Sequence, residues 1–176
     1  MPAPFSLLRE YQSIHAARPD YGPGSGDRVC HAIASACAHL PARFVVDYGC
    51  GNSTMILRIW PRAAMHWRYD PAVPQYNTVI PETQKFSWGL CSDMLEHVPE
   101  NELDDLLRHL WHLSANWVFI VCTRPAGQLL SDGSNAHVTV KPSSWWLDKL
   151  RLFWRDTARV QLATPADRPG FITAPQ

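Results

Sequence analysis

The sequence predicts an α/β fold: a mainly parallel sheet, covered by helices on both faces, that ends in an antiparallel hairpin. Three observations carry this expectation. Short runs rich in β-branched and aromatic residues alternate with stretches whose apolar residues recur at helical spacing. Strands joined through helices lie parallel, because the crossover is right-handed. The last two β-like segments, "TARVQLAT" and "GFITA", have only a Pro-containing turn between them, so they pair antiparallel.

Taken in order, "PFSLLREYQSIHAA" forms a first helix, and the prolines and glycines of "RPDYGPGSG" end it in a loop. "GDRVCHAIASACAHLP" places Val29, Ile33, Ala36, Cys37 and Leu40 on one helical stripe, with Pro41 as the stop. "RFVVDYG" is a short buried strand, and "STMILRIW" is a helix ended by Pro61. "AMHWRYD" reads as a second strand finishing at Asp70, and "FSWGLCSDM" as a third. The helix "ENELDDLLRHLWHL" leads to "NWVFIVCT", the most strand-like segment of the chain, and "SSWWLDKLRLFW" is again helical. No repeat, low-complexity tract or linker divides the sequence. Residues 1–176 therefore read as a single domain, with an N-terminal helical segment (1–41) ahead of an α/β core (42–176).

Composition narrows the function. With 46% hydrophobic and 18% charged residues the chain is globular rather than disordered. Sixteen Lys and Arg balance sixteen Asp and Glu, which removes the usual electrostatic case for duplex DNA or an anionic membrane. The five cysteines show no paired metal spacing, the N-terminus lacks a secretion-signal pattern, and no apolar run is long enough to span a bilayer. The expectation is a reduced, cytoplasmic setting with the cysteines buried as small hydrophobes.

The stretch "VVDYGCGNST" carries the first functional signal. A strand ending in an acid, then Gly-x-Gly, then a helix is a nucleotide-binding turn. Gly49 and Gly51 let the main chain turn sharply beside a ligand, and the helix that follows presents unsatisfied N–H groups. Cys50 between them is open to reading as a nucleophile, although the flanking glycines explain its position without chemistry. The next strand ends in Asp70, roughly twenty residues on, where a carboxylate can accept from both ribose hydroxyls. The alternative is a structural glycine turn and a surface acid.

"DYGCGNS", followed by "YDPA" and then "CSDMLEHVPE", resembles the first, second and fourth motifs of the Rossmann-like (class I) S-adenosylmethionine-dependent methyltransferases, over about Phe44 to Trp146. The resemblance implies a three-layer sandwich and S-adenosylmethionine as cofactor. It implies that Asp47 lies near the methionine amino group, with Gly49, Cys50 and Gly51 beside the methionine portion. It places Asp70 on the ribose, and Cys91, Ser92 and Asp93 along the methyl-transfer edge. Ser53 stands where the family often has a third glycine. One departure is larger. Between Asp70 and Asp93 the family fits a helix, an edge strand and another helix, but here Pro71, Pro74 and Pro81 oppose any sustained helix. The family's third strand is expected to be missing, and with it the residue that reads the adenine amino group; Gln75, Tyr76 or Trp88 could substitute.

Asp93, Glu96 and His97 stand at i, i+3 and i+4, which one α-helical turn would put on a single face. His137, after the fifth strand of the family's order, comes to the same end of the sheet. Two carboxylates and two imidazoles there make a mixed N/O site for a divalent metal such as Mg²⁺, Mn²⁺, Fe²⁺ or Co²⁺. The pattern is similar to that of small-RNA 2′-O-methyltransferases and ubiquinone-pathway O-methyltransferases, in which an acidic-x-x-Glu-His motif binds a metal. Metal-free service as a hydrogen-bonding brace or a general base is the alternative for His97, His137 and Asp93. Arg124, Asn135 and Lys141 are candidate acceptor contacts, while Trp145 and Trp146 suit packing better than recognition.

These readings converge on methyl transfer to an oxygen of a small hydroxylated acceptor, with His97 or His137 assisting deprotonation. The rivals are a non-catalytic module that binds S-adenosylmethionine, a nucleotide or a partner subunit, and a nucleic-acid methyltransferase, which neutral charge disfavours without excluding. Oligomeric state is not legible in the sequence.

Overall fold

The computed structural model describes residues 6–18, 26–37, 39–160 and 166–173. The expected Pro- and Gly-rich loop after the first helix, and the turn joining the last two strands, fall largely outside those residues. Helices α1 (Leu8–Ala17) and α2 (Gly26–Cys37) precede β1 (Phe44–Tyr48), α3 (Met55–Ile59), β2 (Met65–Tyr69) and β3 (Trp88–Ser92). Then follow α4 (Leu103–Leu113), β4 (Trp117–Ile120), α5 (Ser143–Arg151), β5 (Ala158–Val160) and β6 (Gly170–Ile172).

The six strands form one sheet in the order β2-β1-β3-β4-β6-β5. β2, β1, β3 and β4 run parallel, while β6 is antiparallel to both β4 and β5. The C-terminal hairpin thus inserts its second strand against β4 and leaves β5 at the edge. Side chains alternate across the sheet as a strand's period of two requires. Val45, Trp88, Leu90, Val118 and Ile120 pack with α2 and α3 on one face. Val46, Tyr48, Cys91, Trp117 and Phe119 pack with α4 and α5 on the other. Gly89 makes this second layer possible: a Cβ there would lie 2.4 Å from the Trp117 ring, which lies flat against the strand.

Helix α4 buries Leu103, Leu106, Leu107, Leu110 and Leu113, a stripe at i, i+3, i+4, i+7 and i+10. At roughly 2 kcal/mol for each buried leucine, hydrophobic transfer alone holds it on the sheet. Helix α1 buries no side chain at all and is attached by other means. Helix α3 is shorter than "STMILRIW" suggested, because Ser53 stays outside it and accepts a hydrogen bond from Met55 N–H (3.0 Å).

Between β2 and β3 the only regular element is a one-turn 3-10 helix, Pro74–Tyr76. β2 is therefore an edge strand, and the helix–strand–helix unit of the family is absent, as its prolines implied. No helix among the described residues is long and apolar enough to cross a membrane.

Candidate active site

A cavity of about 350 Å³ opens at the C-terminal ends of β1, β2 and β3. This is where parallel α/β sheets bind ligands, and its size falls among ligand pockets, roughly 300–1,000 Å³. At one end the β1–α3 turn folds back on β2, with Gly49 N–H and Cys50 N–H both donating to Tyr69 O (2.8 and 3.2 Å). Gly49 adopts φ +77°, and a Cβ there would sit 2.4 Å from Met94 Cγ and 2.9 Å from Met94 Cβ. Only glycine meets both constraints.

Asp47 points into this end. It is 2% exposed, and its Oδ2 is buried without a hydrogen-bond partner. Burial raises its pKa to about 7, against the pull of Arg68 and with Asp70 adding to the rise. Asp70 is better satisfied. Its Oδ2 accepts from Gly51 N–H (2.8 Å) and its Oδ1 from Ala72 N–H (2.9 Å), leaving each oxygen a further lone pair. Burial raises its pKa too, opposed by those two N–H groups and by His15. Burial, together with Asp47 and Asp70, pushes the Cys50 thiol far above the ordinary range, which disfavours the thiolate that a nucleophile needs. Cys91 is fully buried, its thiol likewise raised by burial, so it packs between sheet and helices and does not line the cavity. Ser92 does line it, and Ser92 Oγ donates to Asp93 Oδ2 (3.2 Å).

The other end carries the histidines. The expected α-turn from Asp93 to His97 does not form. A 3-10 turn spans only Leu95–His97, and Asp93 precedes it at φ +50°. That left-handed kink turns Asp93 toward the C-terminal hairpin, where Arg168 Nε donates to Oδ1 (2.8 Å) in a pair whose side chains are 11% and 12% exposed. The cluster with ligand atoms all within 4.8 Å of one another is Glu96, His97 and His137, without Asp93.

Each member of that cluster is held from behind. His97 Nδ1 lies 3.0 Å from Ala136 O, and His137 Nδ1 lies 2.6 Å from Arg124 O. A carbonyl only accepts, so both rings carry Nδ1–H and turn a bare Nε2 outward. The two ring centroids are 4.8 Å apart. Glu96 is fully buried; its Oε1 accepts from Cys122 N–H (2.9 Å) and its Oε2 has no hydrogen-bond partner. Burial raises its pKa to about 8, with Asp93 adding to the rise. Burial and the neighbouring His137 lower the His97 pKa to about 3.

The remaining candidates are otherwise engaged. Arg124 pairs with Asp167, and Lys141 with Glu100 (2.6 Å). Asn135 braces the backbone, accepting from Ala126 N–H and His137 N–H. Trp88 is 2% exposed in the α2–α3 core and Trp146 is fully buried, so both are packing residues. Tyr76 receives Arg68 Nη1, and Gln75 donates to Asn52 Oδ1 (3.0 Å). Gln75 and Asn52 border a second cavity, about 360 Å³, that shares His15, Pro71 and Ala72 with the first. Sequence reasoning missed Tyr11, His15 and Arg168, which reach the site from elements remote in the chain and follow no local motif.

This topology and cavity define the fold of the Rossmann-like S-adenosylmethionine-dependent methyltransferases. The chain is similar over 96% of its length, and 97% of the other's, to the structure described as a DhpI–SAH complex, at 13% identity and a TM-score of 0.72. An O-methyltransferase family protein from Burkholderia thailandensis matches 98% of this chain and 63% of its own, at 12% identity and a TM-score of 0.63. The methyltransferase domain of a bacterial CtHen1 matches 85% of this chain and 99% of its own, at 12% identity and a TM-score of 0.60. No protein-family model and no curated protein sequence matches the chain.

Proposed function

We propose that this protein is an S-adenosylmethionine-dependent methyltransferase that methylates an oxygen of a small hydroxylated acceptor, with help from a divalent metal. One observation carries the reading. A single cavity is lined by Asp47, one carboxylate oxygen of which is buried and unpartnered, and by His97 and His137, whose ligand atoms lie within 4.8 Å of that of the buried Glu96.

Asp47 Oδ2 suits the ammonium of the cofactor's methionine, the cation that would draw this carboxyl into its charged form. Asp70 keeps lone pairs for the ribose hydroxyls, and the adjoining cavity beside Gln75 lies on the side left for adenine. Bound there, the cofactor would supply a methyl group on a positively charged sulfur. At the other end, a histidine with a pKa near 3 is a poor base toward a hydroxyl. It is a suitable ligand, because a metal needs a neutral imidazole with an oriented lone pair. Glu96 Oε2 adds an oxygen donor whose protonation a cation would reverse. The mixed set suits Mn²⁺, Fe²⁺ or Co²⁺ better than Ca²⁺. A metal held there would polarise the acceptor hydroxyl and lower its pKa.

Two measurements test the proposal. Isothermal titration with S-adenosylhomocysteine should show one site, and absence of binding would leave a degenerate module. Transfer of a labelled methyl group into a pool of small hydroxylated compounds should stop with a chelator and resume with Mn²⁺ or Co²⁺. Full activity in chelator would remove the metal and return the histidines to a positioning role. The N-methyltransferase NodS and the small RNA methyltransferase HEN1 are among the similar structures, which makes nitrogen and RNA acceptors the controls in the same assay.

A further inference from the structure

We propose that Tyr11 is a positioning residue for the histidine pair: its hydroxyl ties together the two backbone segments that carry His97 and His137. The inference rests on the methyltransferase reading for its catalytic meaning but not for its geometry. Tyr11 Oη donates to Ala136 O (2.7 Å), the carbonyl just before His137, and lies 3.3 Å from His97 O. It is also 3.1 Å from His97 Nδ1, and the Tyr11 ring meets the His97 ring edge-on, centroids 5.1 Å apart at 81°.

The three polar atoms are mutually satisfied in one arrangement only. The hydroxyl has a single proton, which its shortest contact assigns to Ala136 O. The tyrosine oxygen then has lone pairs to share the His97 Nδ1–H with that carbonyl. With the other tautomer, the Nδ1 lone pair would face Ala136 O at 3.0 Å. The hydroxyl therefore reinforces the state in which Nε2 of His97 is bare. It also bridges, at the histidines themselves, two segments that lie 39 residues apart in the chain.

The element that delivers this hydroxyl is not anchored by the core. Helix α1 buries no side chain fully, and polar contacts attach it. Glu10 accepts from Ser131 N–H and Oγ (3.0 and 2.6 Å), Gln12 donates to Pro71 O (3.4 Å) and Arg18 donates to Gln128 Oε1 (3.1 Å). Docking of α1 thus adds the Tyr11 hydroxyl to segments that Thr139 already joins, through its N–H on Glu96 O (3.0 Å) and its Oγ1 on Val98 O (2.7 Å). A phenylalanine would pack against His97 as well as tyrosine does, so the function sits in the oxygen.

The test compares wild type with Tyr11→Phe, without ligand. Long-range ¹H–¹⁵N spectra of the wild-type imidazoles near neutral pH should show His97 and His137 protonated at Nδ1 and bare at Nε2. In the variant the His97 resonances should move toward a tautomer mixture, and those of His137 should broaden or shift. Co²⁺ affinity, read from its visible absorption, should fall about tenfold, the low end of the loss seen when a ligand's supporting hydrogen bond is removed. S-adenosylhomocysteine affinity should change less than about twofold, and the melting temperature should hold. Glu10→Ala, which loosens α1 without touching either histidine, should move the same resonances part of the way.

Wild-type spectra with His97 protonated at Nε2 would overturn the proposal whatever the variant does. So would a Tyr11→Phe protein with unaltered imidazole spectra. A parallel loss of cofactor affinity and melting temperature would make Tyr11 a fold residue instead. If wild type binds no Co²⁺ at all, the metal reading fails, and the imidazole spectra still decide the role of Tyr11.

Discussion

At one end the cavity draws its polar groups from the tips of two adjacent parallel strands, Asp47 to Gly51 after β1 and Asp70 after β2. The backbone itself fixes their places, through Gly49 and Cys50 on Tyr69 O and through Gly51 on Asp70. The histidine end is assembled from distant parts: a 3-10 turn at Leu95–His97, the segment around His137, Tyr11 from α1 and Arg168 from the C-terminal hairpin. Strand register specifies the first end. The second depends on side-chain hydrogen bonds between segments that register does not control. The strand-tip end should therefore fail through backbone geometry and electrostatics, and the histidine end through orientation.

The largest effect should come from Gly49→Ala. The new Cβ meets Met94 at two atoms, one of them Met94 Cβ, which lies too close to the main chain to swing away. The left-handed φ costs about 1–2 kcal/mol, and forced overpacking about 1–3 kcal/mol. Urea unfolding should show a loss of roughly 2–5 kcal/mol, with binding of S-adenosylhomocysteine abolished. A stable variant that still binds would show that the turn is not backbone-limited.

Asp47→Asn comes next and has a pH signature. The Asp47 carboxyl titrates at about 7 when folded and near 3.9 when unfolded. Between those values the folded protein keeps a proton that the unfolded chain has released. This contribution to stability is fully present below about pH 4 and lost as pH rises through about 7. Wild type should therefore lose about 3–4 kcal/mol at most relative to Asp47→Asn across that window, measured by denaturant unfolding in the absence of ligand. Binding runs the other way. An ammonium at Oδ2 wants the carboxylate, so wild-type affinity for S-adenosylhomocysteine should rise toward pH 7, a slope the asparagine variant lacks. Parallel stability curves would place an ordinary, charged Asp47 in the site.

Asp70→Ala should weaken cofactor binding by roughly 1–3 kcal/mol, the worth of hydrogen bonds to a charged acceptor. Part of that loss is indirect, because the same carboxylate holds Gly51 and Ala72. Asparagine can accept from only one of those two N–H groups, because its amide nitrogen donates, so Asp70→Asn should keep part of the loop and recover little affinity in calorimetry. Unchanged affinity in both variants would move the ribose elsewhere.

The same contrast explains what the sequence could reveal. Asp47, Gly49, Gly51 and Asp70 are spelled out in two short segments, and a strand that ends in an acid before glycines puts its acid in one place. The missing edge strand was equally legible, because Pro71, Pro74 and Pro81 forbid the helices that would flank it. Asp93 was not. The i, i+3, i+4 spacing assumed an α-turn, whereas a left-handed residue and a 3-10 turn send Asp93 to Arg168 and leave Glu96 with the histidines. Nor could spacing find Tyr11 or His15, since α1 carries no buried stripe to fix which of its faces meets the site.

The smallest effect should be that of His137→Ala on cofactor affinity. Its ring is tied to Arg124 O and stands against His97, at the end of the cavity away from Asp47, Asp70 and the glycine turn. Sites without shared partners add within about 0.5 kcal/mol, so S-adenosylhomocysteine binding should shift by no more than that. The same substitution should cost about 10–100-fold in Co²⁺ affinity if His137 is a ligand or supports one. Asp70→Ala and His137→Ala combined should then weaken cofactor binding only as much as Asp70→Ala alone. A coupling well above 0.5 kcal/mol would mean that the two ends communicate. Helix α1 would be the carrier to examine, because it lines the cavity with His15, which interacts electrostatically with Asp70, and with Tyr11, which contacts His97.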